Sequence, residues 1–180
     1  LTNLKKQINN TFHNQSCQNL NVLDFGCGTG LLGDALYKDI DKSIILSNND
    51  IILNGVDISS NMIKKSLFLN VYKNLICCDL TNKNQEDLLK LLNLDSKIDL
   101  FISCGVFLEG HVSLDFIFKI SSIVKLNGYL IFTVRQSFLN KFPNFFIQVN
   151  NESSLSLEKE FDISYLKDVN AKCIVLKKIN

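Results

Sequence analysis

Short apolar runs alternate with amphipathic segments along most of the chain. The apolar runs are nearly continuous, as expected for strands that are covered on both faces. Strands that alternate with helical segments are typical of a parallel sheet with helices on both sides. The pattern predicts strands at 21–25, 51–57, 74–79, 98–103 and 128–134, and helices at 4–12, 31–38, 62–70, 85–94 and 114–125.

Two further strands are predicted near the end of the chain, at 161–169 and 172–179. Asn170 and Ala171 separate them, and two residues are enough for a hairpin turn, which would add an antiparallel pair at the sheet edge. The predicted fold is therefore α/β: a doubly wound, mostly parallel, seven-stranded sheet with helices on both faces and a C-terminal antiparallel hairpin.

One segment, 39–54, carries two apolar pieces where a single strand is expected. The second piece, 51–53, leads directly into Gly55 and Val56, so we assign it to the second strand. The first piece, 44–46, is interpreted as an insertion or an extended loop. No linker, repeat or low-complexity block interrupts the pattern, so the whole chain, residues 1–180, is predicted to form one domain.

Charge and composition limit the possible partners. The chain has 46% hydrophobic and 21% charged residues, which is ordinary for a globular protein. A net charge of +1 and a single arginine, Arg135, give no basic surface for a nucleic-acid backbone. No apolar run reaches the roughly 18 residues of a membrane span, and no signal-peptide core follows the first lysines. We therefore expect no nucleic-acid or membrane partner and a cytoplasmic location.

The six cysteines show neither C-x-x-C spacing nor a histidine partner at zinc-ligand spacing. They are expected to be mostly small buried residues of a reduced cytosolic protein, and no metal site is predicted. The chain opens with Leu1 rather than methionine, and we therefore expect its true N-terminus to be missing.

Residues 22–30 predict a strand that runs into a ligand-binding turn. Glycines at 26, 28 and 30 remove each Cβ that would keep a ligand from the backbone, and they allow the positive φ angles of a tight turn. The helix that follows would point its N-terminal amides at whatever lies over the turn.

This turn resembles the first motif of the class I S-adenosylmethionine-dependent methyltransferases, which is two hydrophobic residues followed by Asp/Glu-x-Gly-x-Gly-x-Gly. The resemblance extends over about Asn21 to Asn180. It implies a methyltransferase fold, S-adenosylmethionine as cofactor, and a first group of cofactor-binding residues: Asp24, Gly26, Cys27, Gly28 and Gly30.

Residues 28–33 also match the dinucleotide fingerprint G-x-G-x-x-G, which by itself is a weak signal. Asp24, at the end of the predicted strand, favours adenosylmethionine, because a carboxylate there would repel a pyrophosphate and attract a methionine ammonium. A nicotinamide or flavin nucleotide and a purely structural glycine turn remain as alternatives.

The stretch Gly55-Val56-Asp57-Ile58-Ser59-x-x-Met62 resembles the family's second motif. The resemblance implies that Asp57 binds the ribose, whose two hydroxyls can donate to one carboxylate, with Ile58 and Met62 beside it. The alternative is that Asp57 is a helix cap or turn residue. Asp57 lies farther after Gly30 than the roughly 20 residues usual in dinucleotide folds, and the insertion after residue 39 would account for this.

Later segments resemble the remaining motifs. Asp79, followed by Leu80, resembles the third motif and would accept from the adenine amino group, although it could instead cap the next helix. Residues 125–130 match the turn before the fifth strand, with Asn-Gly-Tyr in place of Pro-Gly-Gly. The end of the fourth strand would line the sulfonium and methyl group through Ser103, Cys104 and Gly105.

Glu109 and His111 follow the predicted fourth strand and are the candidate catalytic residues, with His111 as the base and Glu109 assisting it. They lie beyond the carboxyl ends of the strands, where open α/β sheets bind ligands. Their segment, 104–112, resembles a methyltransferase-like subgroup that has Gly-His-Val at this place. The alternative is that Glu109 is a solvated loop residue and His111 a supporting or capping group.

Motifs that define other acceptors are missing from the sequence. Neither Asn-Pro-Pro-Tyr nor Asp-Pro-Pro-Tyr follows the fourth strand, which disfavours amino-group methylation of nucleic acids. No cysteine stands in a Pro-Cys setting, and no acidic cluster suggests a divalent-metal catechol enzyme. A small molecule is therefore the expected acceptor. The aromatic stretch 142–146 is a candidate lid over it, and the alternative is a plain amphipathic or core segment.

Three functions are compatible with the sequence. The first is methyl transfer from S-adenosylmethionine to a small molecule. The second is an NAD-dependent oxidoreductase on a nucleotide-binding sheet. The third is a non-catalytic domain that binds S-adenosylmethionine, or a fragment whose missing N-terminal segment held the acceptor pocket.

Overall fold

A computed structural model describes residues 19–38, 50–92, 97–151, 154–166 and 169–180, and every structural statement below concerns these residues. The helix expected at 4–12 and the apolar piece at 44–46 lie outside them. The domain is built on one seven-stranded sheet in the order β3-β2-β1-β4-β5-β7-β6. Its strands are β1 (Asn19–Phe25), β2 (Asp50–Asp57), β3 (Asn74–Cys77), β4 (Ile98–Phe107), β5 (Val124–Arg135), β6 (Leu155–Leu166) and β7 (Val169–Lys178).

The predicted mostly parallel sheet with a C-terminal hairpin is confirmed. Strands β1 to β5 pair in parallel, and β7 pairs antiparallel with both β5 and β6. The second apolar piece of the ambiguous segment forms β2, which pairs with β1 from Asp50 to Val56. Strand order reverses beside β1, so the carboxyl ends of β1, β2 and β4 border the crevice where such sheets bind ligands.

Helices lie in the connections between the strands. They are α1 (Leu31–Lys38), α2 (Ser60–Leu67), α3 (Gln85–Leu91), α4 (Phe116–Ile120), α5 (Gln136–Leu139) and α6 (Phe145–Asn151). Two of them have capped N-termini, because Ser59 accepts from the amide of Met62 and Asn84 accepts from the amide of Asp87.

The hairpin turn was predicted at the wrong residues. Asn170 pairs with Ser164 and Ala171 pairs with Ile163, so both expected turn residues belong to β7. Asn170 is exposed and Ala171 is buried, which is the alternation of a strand with one face on the core. Neither residue is a glycine, which two-residue hairpin turns usually need for positive φ angles.

The helix predicted at 114–125 is shorter than expected. It is α4 followed by a 3₁₀ turn (Ser121–Ile123), and β5 begins at Val124, which pairs with Ile98. Serine and β-branched residues favour helices weakly, so strand pairing prevails here. The expected turn at 125–130 lies inside β5 as an irregularity in the pairing with β4, and Asn127 adopts a φ of +64° there.

Strand β4 continues four residues past the predicted end, to Phe107. Its register against β5 shifts between Ser103 and Phe107, and Gly105 has a φ of +81°. Such an irregularity bends the strand where it approaches the crevice. The segment expected to form a loop after the fourth strand is therefore held partly within the sheet.

Buried side chains from the sheet form two apolar clusters. Consecutive residues of β1 divide between them, with Leu23 in the larger and Val22 in the smaller. The larger cluster includes Phe116 of α4 and Phe145 of α6, whereas the smaller includes Leu32 of α1. Because neighbouring residues of β1 are buried in different clusters, both alternating sets of its side chains are apolar. This explains the nearly continuous apolar run in its sequence.

The aromatic candidate lid at 142–146 belongs to the core. Phe145 is buried, and its ring centroid lies 5.7 Å from that of Phe118 and 6.3 Å from that of Phe132. Phe142 packs partly buried against the same cluster. The core alternative is therefore confirmed, and the lid interpretation is wrong, because these rings pack on the core and on one another.

Features of other protein classes are absent from the described residues. None of their helices is long and apolar enough to cross a membrane. No group of three or more His, Cys, Asp or Glu within them is arranged to hold a metal ion. The cysteines within these ranges are free: Cys27, Cys77, Cys78, Cys104 and Cys173.

Candidate functional site

The glycine loop, residues 26–30, joins β1 to α1 at the carboxyl edge of the sheet. Gly26, Gly28 and Gly30 have φ angles of +70°, +55° and +85°, which residues with a Cβ rarely adopt. The amide of Gly26 donates to the carbonyl of Val56 at 2.8 Å, so the loop is anchored on β2. The positive φ angles inferred from the glycine spacing are confirmed.

The loop is open only at its middle glycine. A Cβ on Gly28 would have no neighbour within 4 Å. A Cβ on Gly26 would lie 2.2 Å from Cγ2 of Val106, and one on Gly30 would lie 2.5 Å from Cδ1 of Leu69. The outer two glycines are therefore required by the protein's own packing, whereas Gly28 faces space that a ligand can occupy.

Asp57, the last residue of β2, ties the glycine loop to the start of α2. Its Oδ2 accepts from the amide of Gly28 at 2.9 Å, and its Oδ1 accepts from the amide of Ser59 at 2.8 Å. Ser59, not Asp57, is the N-cap residue of α2. A carboxylate has about four lone-pair sites, so these two bonds leave Asp57 able to accept from a ligand.

Ile58 and Met62 provide an exposed apolar surface next to Asp57. These two residues are 73% and 40% exposed. The thiol of Cys77, at the end of β3, donates to the carbonyl of Ile58 at 3.5 Å and joins this surface. A carboxylate beside exposed apolar side chains suits a ligand with hydroxyl groups and a flat ring.

Asp24 lies beneath the glycine loop and is 1% exposed. The hydroxyl of Tyr72 donates to its Oδ2 at 2.7 Å. Burial raises the pKa of Asp24 to about 7, against the effect of the Tyr72 bond and with a contribution from the charge of Asp57. Burial and the charge of Asp24 also raise the pKa of the Cys27 thiol. Asp24 and Cys27 thus support the loop from below and offer little surface to a ligand.

The raised pKa of Asp24 gives an expected pH dependence of stability. Between its unfolded value of 3.8 and about 7, this carboxyl group is protonated only in the folded state. Its contribution to the free energy of unfolding is therefore full below pH 4, falls as the pH rises to 7, and is lost above it. Chemical denaturation from pH 4 to 8 measures the slope.

The matched variant is Asp24→Asn, because its amide oxygen can still accept from Tyr72. We expect the wild type to lose stability relative to this variant as the pH rises from 4 to 7. Parallel profiles in the two proteins would mean that Asp24 does not titrate in this range.

Asp79 and Leu80 follow β3 and have different environments. Asp79 is exposed, and its Oδ1 accepts from the amide of Thr81 at 2.8 Å and from its hydroxyl at 2.6 Å. These bonds hold the pKa of Asp79 below its ordinary value, so the carboxylate remains an acceptor. The N-cap of α3 is Asn84, so Asp79 does not cap that helix. Leu80 is buried and acts in packing.

The three residues expected to line the methyl group lie at the bend of β4. Ser103 is fully buried, and its hydroxyl donates to the carbonyl of Phe25 at 2.9 Å, which joins β4 to the end of β1. The amide of Gly105 donates to Oγ1 of Thr133 at 2.9 Å. Cys104 between them is half-buried. Ser103 therefore positions the strand end from inside the protein.

Glu109 and His111 lie in an exposed turn after β4. The amide of His111 donates to the carbonyl of Leu108 at 3.2 Å and closes this turn. Glu109 forms an ion pair with Lys141, and this hydrogen bond holds the pKa of Glu109 below its ordinary value. Within the described ranges no hydrogen bond joins Glu109 to His111, so the expected assistance of His111 by Glu109 is not seen.

An open depression lies at the carboxyl ends of β4 and β5, next to β7. Val106 packs on Gly26, and its two chain neighbours line the depression, which therefore adjoins the glycine loop. The lining is largely apolar and contains one charged residue. It consists of Gly105, Phe107, Leu108, Thr133, Val134, Arg135 and Ala171.

Sequence reasoning missed Tyr72, Thr133 and Arg135 as site residues. Thr133 could have been noticed as a polar residue inside the apolar run of β5, and Arg135 as the only arginine of the chain. Tyr72 had no comparable signal. Its hydroxyl lies close to where a Cβ on Gly33 would be, a contact that exists only in the folded chain.

Solved methyltransferase structures share this fold. A Listeria monocytogenes protein assigned to the class I S-adenosylmethionine-dependent methyltransferases has a TM-score of 0.74 at 17% identity, over 100% of this chain and 60% of that one. The chain thus spans less than two thirds of that protein. Magnesium protoporphyrin IX methyltransferase of Synechocystis PCC 6803, crystallised with S-adenosylhomocysteine, has a TM-score of 0.65 at 15% identity, over 98% and 82%. An rRNA methylase of Streptococcus thermophilus has a TM-score of 0.64 at 14% identity, over 97% of this chain and 95% of that one.

At these identities the structural likeness concerns the fold. No protein of curated function matches the sequence at a significant level. The sequence model of a methyltransferase domain, in contrast, matches residues 16–178, which is most of the chain. This chain belongs to the methyltransferase-domain family.

Proposed function

We propose that this domain transfers a methyl group from S-adenosylmethionine to a small-molecule acceptor. The observation that carries the proposal is the position of Asp57, whose carboxylate lies between the open glycine loop and the exposed side chains of Ile58 and Met62. Family membership and the shared class I fold support the same activity.

The residues at this edge fit the parts of the cofactor. The remaining lone pairs of Asp57 suit the two ribose hydroxyls, and a charged acceptor makes such bonds strong. Ile58 and Met62 suit the face of the adenine ring, and the ionised Asp79 suits its amino group. The open side of Gly28 admits the methionine part close to the backbone.

The cofactor supplies a methyl group that its sulfonium already activates, so the reaction is an in-line displacement at carbon. The domain's main tasks are to position the acceptor and to exclude water, which together contribute about 7 to 11 kcal/mol when alignment is good. The bonds of Ser103 to Phe25 and of Gly105 to Thr133 fix the end of β4 beside the glycine loop for this purpose.

The depression beside the glycine loop is the proposed acceptor site. It is open and is lined by few residues, most of them apolar, which favours a small acceptor. The proteins of similar fold named above act on a porphyrin and on rRNA. The proposal of a small acceptor therefore rests on the depression and on the net charge of +1, not on the fold.

His111 is the proposed general base for acceptors that must lose a proton. It lies in the turn that Leu108, a lining residue of the depression, helps to close. Glu109 is the weaker candidate, because its ion pair with Lys141 lowers its proton affinity. Glu109 is therefore proposed to hold the turn in place.

Thermal unfolding with added ligands tests the proposal. At a hundredfold excess over its dissociation constant, S-adenosylhomocysteine adds about 2.7 kcal/mol, which corresponds to a rise in Tm of roughly 5 to 10 °C for a domain of this size. We expect this rise with S-adenosylhomocysteine and none with NAD. A rise with NAD and no response to S-adenosylhomocysteine would instead support the oxidoreductase alternative.

A further inference from the structure

A cationic side chain without a partner lines the depression. Arg135, the last residue of β5, is half-buried, and its Nε is buried with no hydrogen-bond partner in the described part of the chain. An unpaired buried donor on a charged group costs free energy, and native proteins usually satisfy such groups. Arg135 also lines the depression, so a ligand there that accepts hydrogen bonds would meet this cation.

An acid that interacts with the charge of Arg135 is engaged elsewhere. The charge of Arg135 contributes to the lowered pKa of Glu109, so the two charges interact. The hydrogen bond and ion pair of Glu109 nevertheless go to Lys141. No ion pair of Arg135 occurs within the described ranges, which leaves the planar fork of its guanidinium free to bind an anion.

The surroundings of Arg135 define the rest of the ligand. Phe107, Leu108 and Val134 give the depression apolar walls. The hydroxyl of Thr133 already accepts from Gly105, and its own hydrogen remains available to a ligand. Apolar walls with a single guanidinium fit an apolar body that ends in one planar anion.

We propose that the methyl acceptor is a small carboxylic acid whose carboxylate is anchored by Arg135 and whose apolar body lies in the depression. The proposal rests on the proposed methyltransferase function and specifies its substrate class. A guanidinium fork pairs with both oxygens of a carboxylate, which fixes orientation as well as position. A phosphate would place two charges against one arginine and apolar walls, so the carboxylate is favoured.

The chain offers a direct probe, because Arg135 is its only arginine. In protein labelled with ¹⁵N-arginine, the Nε–Hε signal reports on this side chain alone. Benzoate is the test ligand, benzamide is the neutral control of the same shape, and inorganic phosphate is the competing anion. Each is titrated with and without S-adenosylhomocysteine. We expect a saturable shift of the signal with benzoate and none with benzamide, and we expect phosphate to act more weakly than benzoate.

Variants test the same contact through the signals of the ligand. Saturation transfer from protein to benzoate gives its dissociation constant in Arg135→Lys, which keeps the charge but loses the fork. Lys172→Gln is the matched control, since Lys172 is a nearby cation on β7 that already pairs with Glu160 and Asp162. We expect the dissociation constant to rise about tenfold or more in Arg135→Lys and less than about twofold in Lys172→Gln.

Besides a missing response to benzoate, four results would overturn the proposal. They are equal shifts with benzoate and benzamide, tighter binding of phosphate than of benzoate, equal weakening in the two variants, and a shift caused by S-adenosylhomocysteine that abolishes the response to benzoate. The last would assign Arg135 to the cofactor's own carboxylate. Calorimetry distinguishes a failure of the proposed function from a failure of the carboxylate anchor. If S-adenosylhomocysteine does not bind, the proposed function is contradicted. If S-adenosylhomocysteine binds but benzoate gives no response, only the carboxylate anchor is contradicted.

Discussion

Replacing His111 with alanine is expected to lower the methylation rate by about 10² to 10⁴ while leaving the affinity for S-adenosylmethionine nearly unchanged, as for loss of a general base. The expectation follows from the exposed position of His111 in the turn that borders the depression. The measurement is formation of S-adenosylhomocysteine from the first acceptor that the wild type turns over, across a range of pH.

Glu109→Gln is the control for this experiment, because it removes the ion pair with Lys141 without touching the imidazole. We expect a small change in rate and the same pH profile as the wild type. Equal rates and identical profiles for His111→Ala and the wild type would reject His111 as the base, and positioning alone would then have to explain catalysis. A combined loss of rate and cofactor affinity would mean that the turn only shapes the site.

Asp57→Ala is expected to weaken S-adenosylhomocysteine binding by about 2 to 3 kcal/mol, since charge-assisted bonds to the ribose are lost. The apo protein should also be less stable, because the amides of Gly28 and Ser59 lose their acceptor. Calorimetric titration measures the first effect, and thermal unfolding without ligand measures the second.

Ser59→Ala is the matched control, because it removes only the cap of α2. Loss of an N-cap costs about 1 kcal/mol, so we expect a lower Tm with nearly unchanged ligand affinity. If Asp57→Ala behaves like Ser59→Ala, then Asp57 is a structural residue of the loop and the ribose assignment is wrong.

The sheet could be predicted because its signals are local. Continuous apolar runs marked the parallel strands, and the run leading into Gly55 identified β2 despite the competing piece before it. Strand and helix ends were less predictable. The extension of β4 to Phe107 and the early start of β5 at Val124 depend on pairing between residues far apart in the chain, which overrides local preference.

For the candidate site, the sequence predicted where residues lie but not which contacts they make. The sequence placed the glycines and Asp57 at the carboxyl edge of the sheet, because parallel strands end at one edge. It could not show that Asp57 binds the amide of Gly28 or that Tyr72 covers Asp24. These contacts join residues on different strands and loops, so they exist only once the sheet has formed.

A crystal structure of this domain with S-adenosylhomocysteine tests the central claim most directly. We expect the ribose hydroxyls within hydrogen-bond distance of Asp57, the adenine ring against Ile58 and Met62, and the amino-acid part over Gly28. A ligand bound away from the glycine loop, or no ligand at saturating concentration, would contradict the assignment of this edge as the cofactor site.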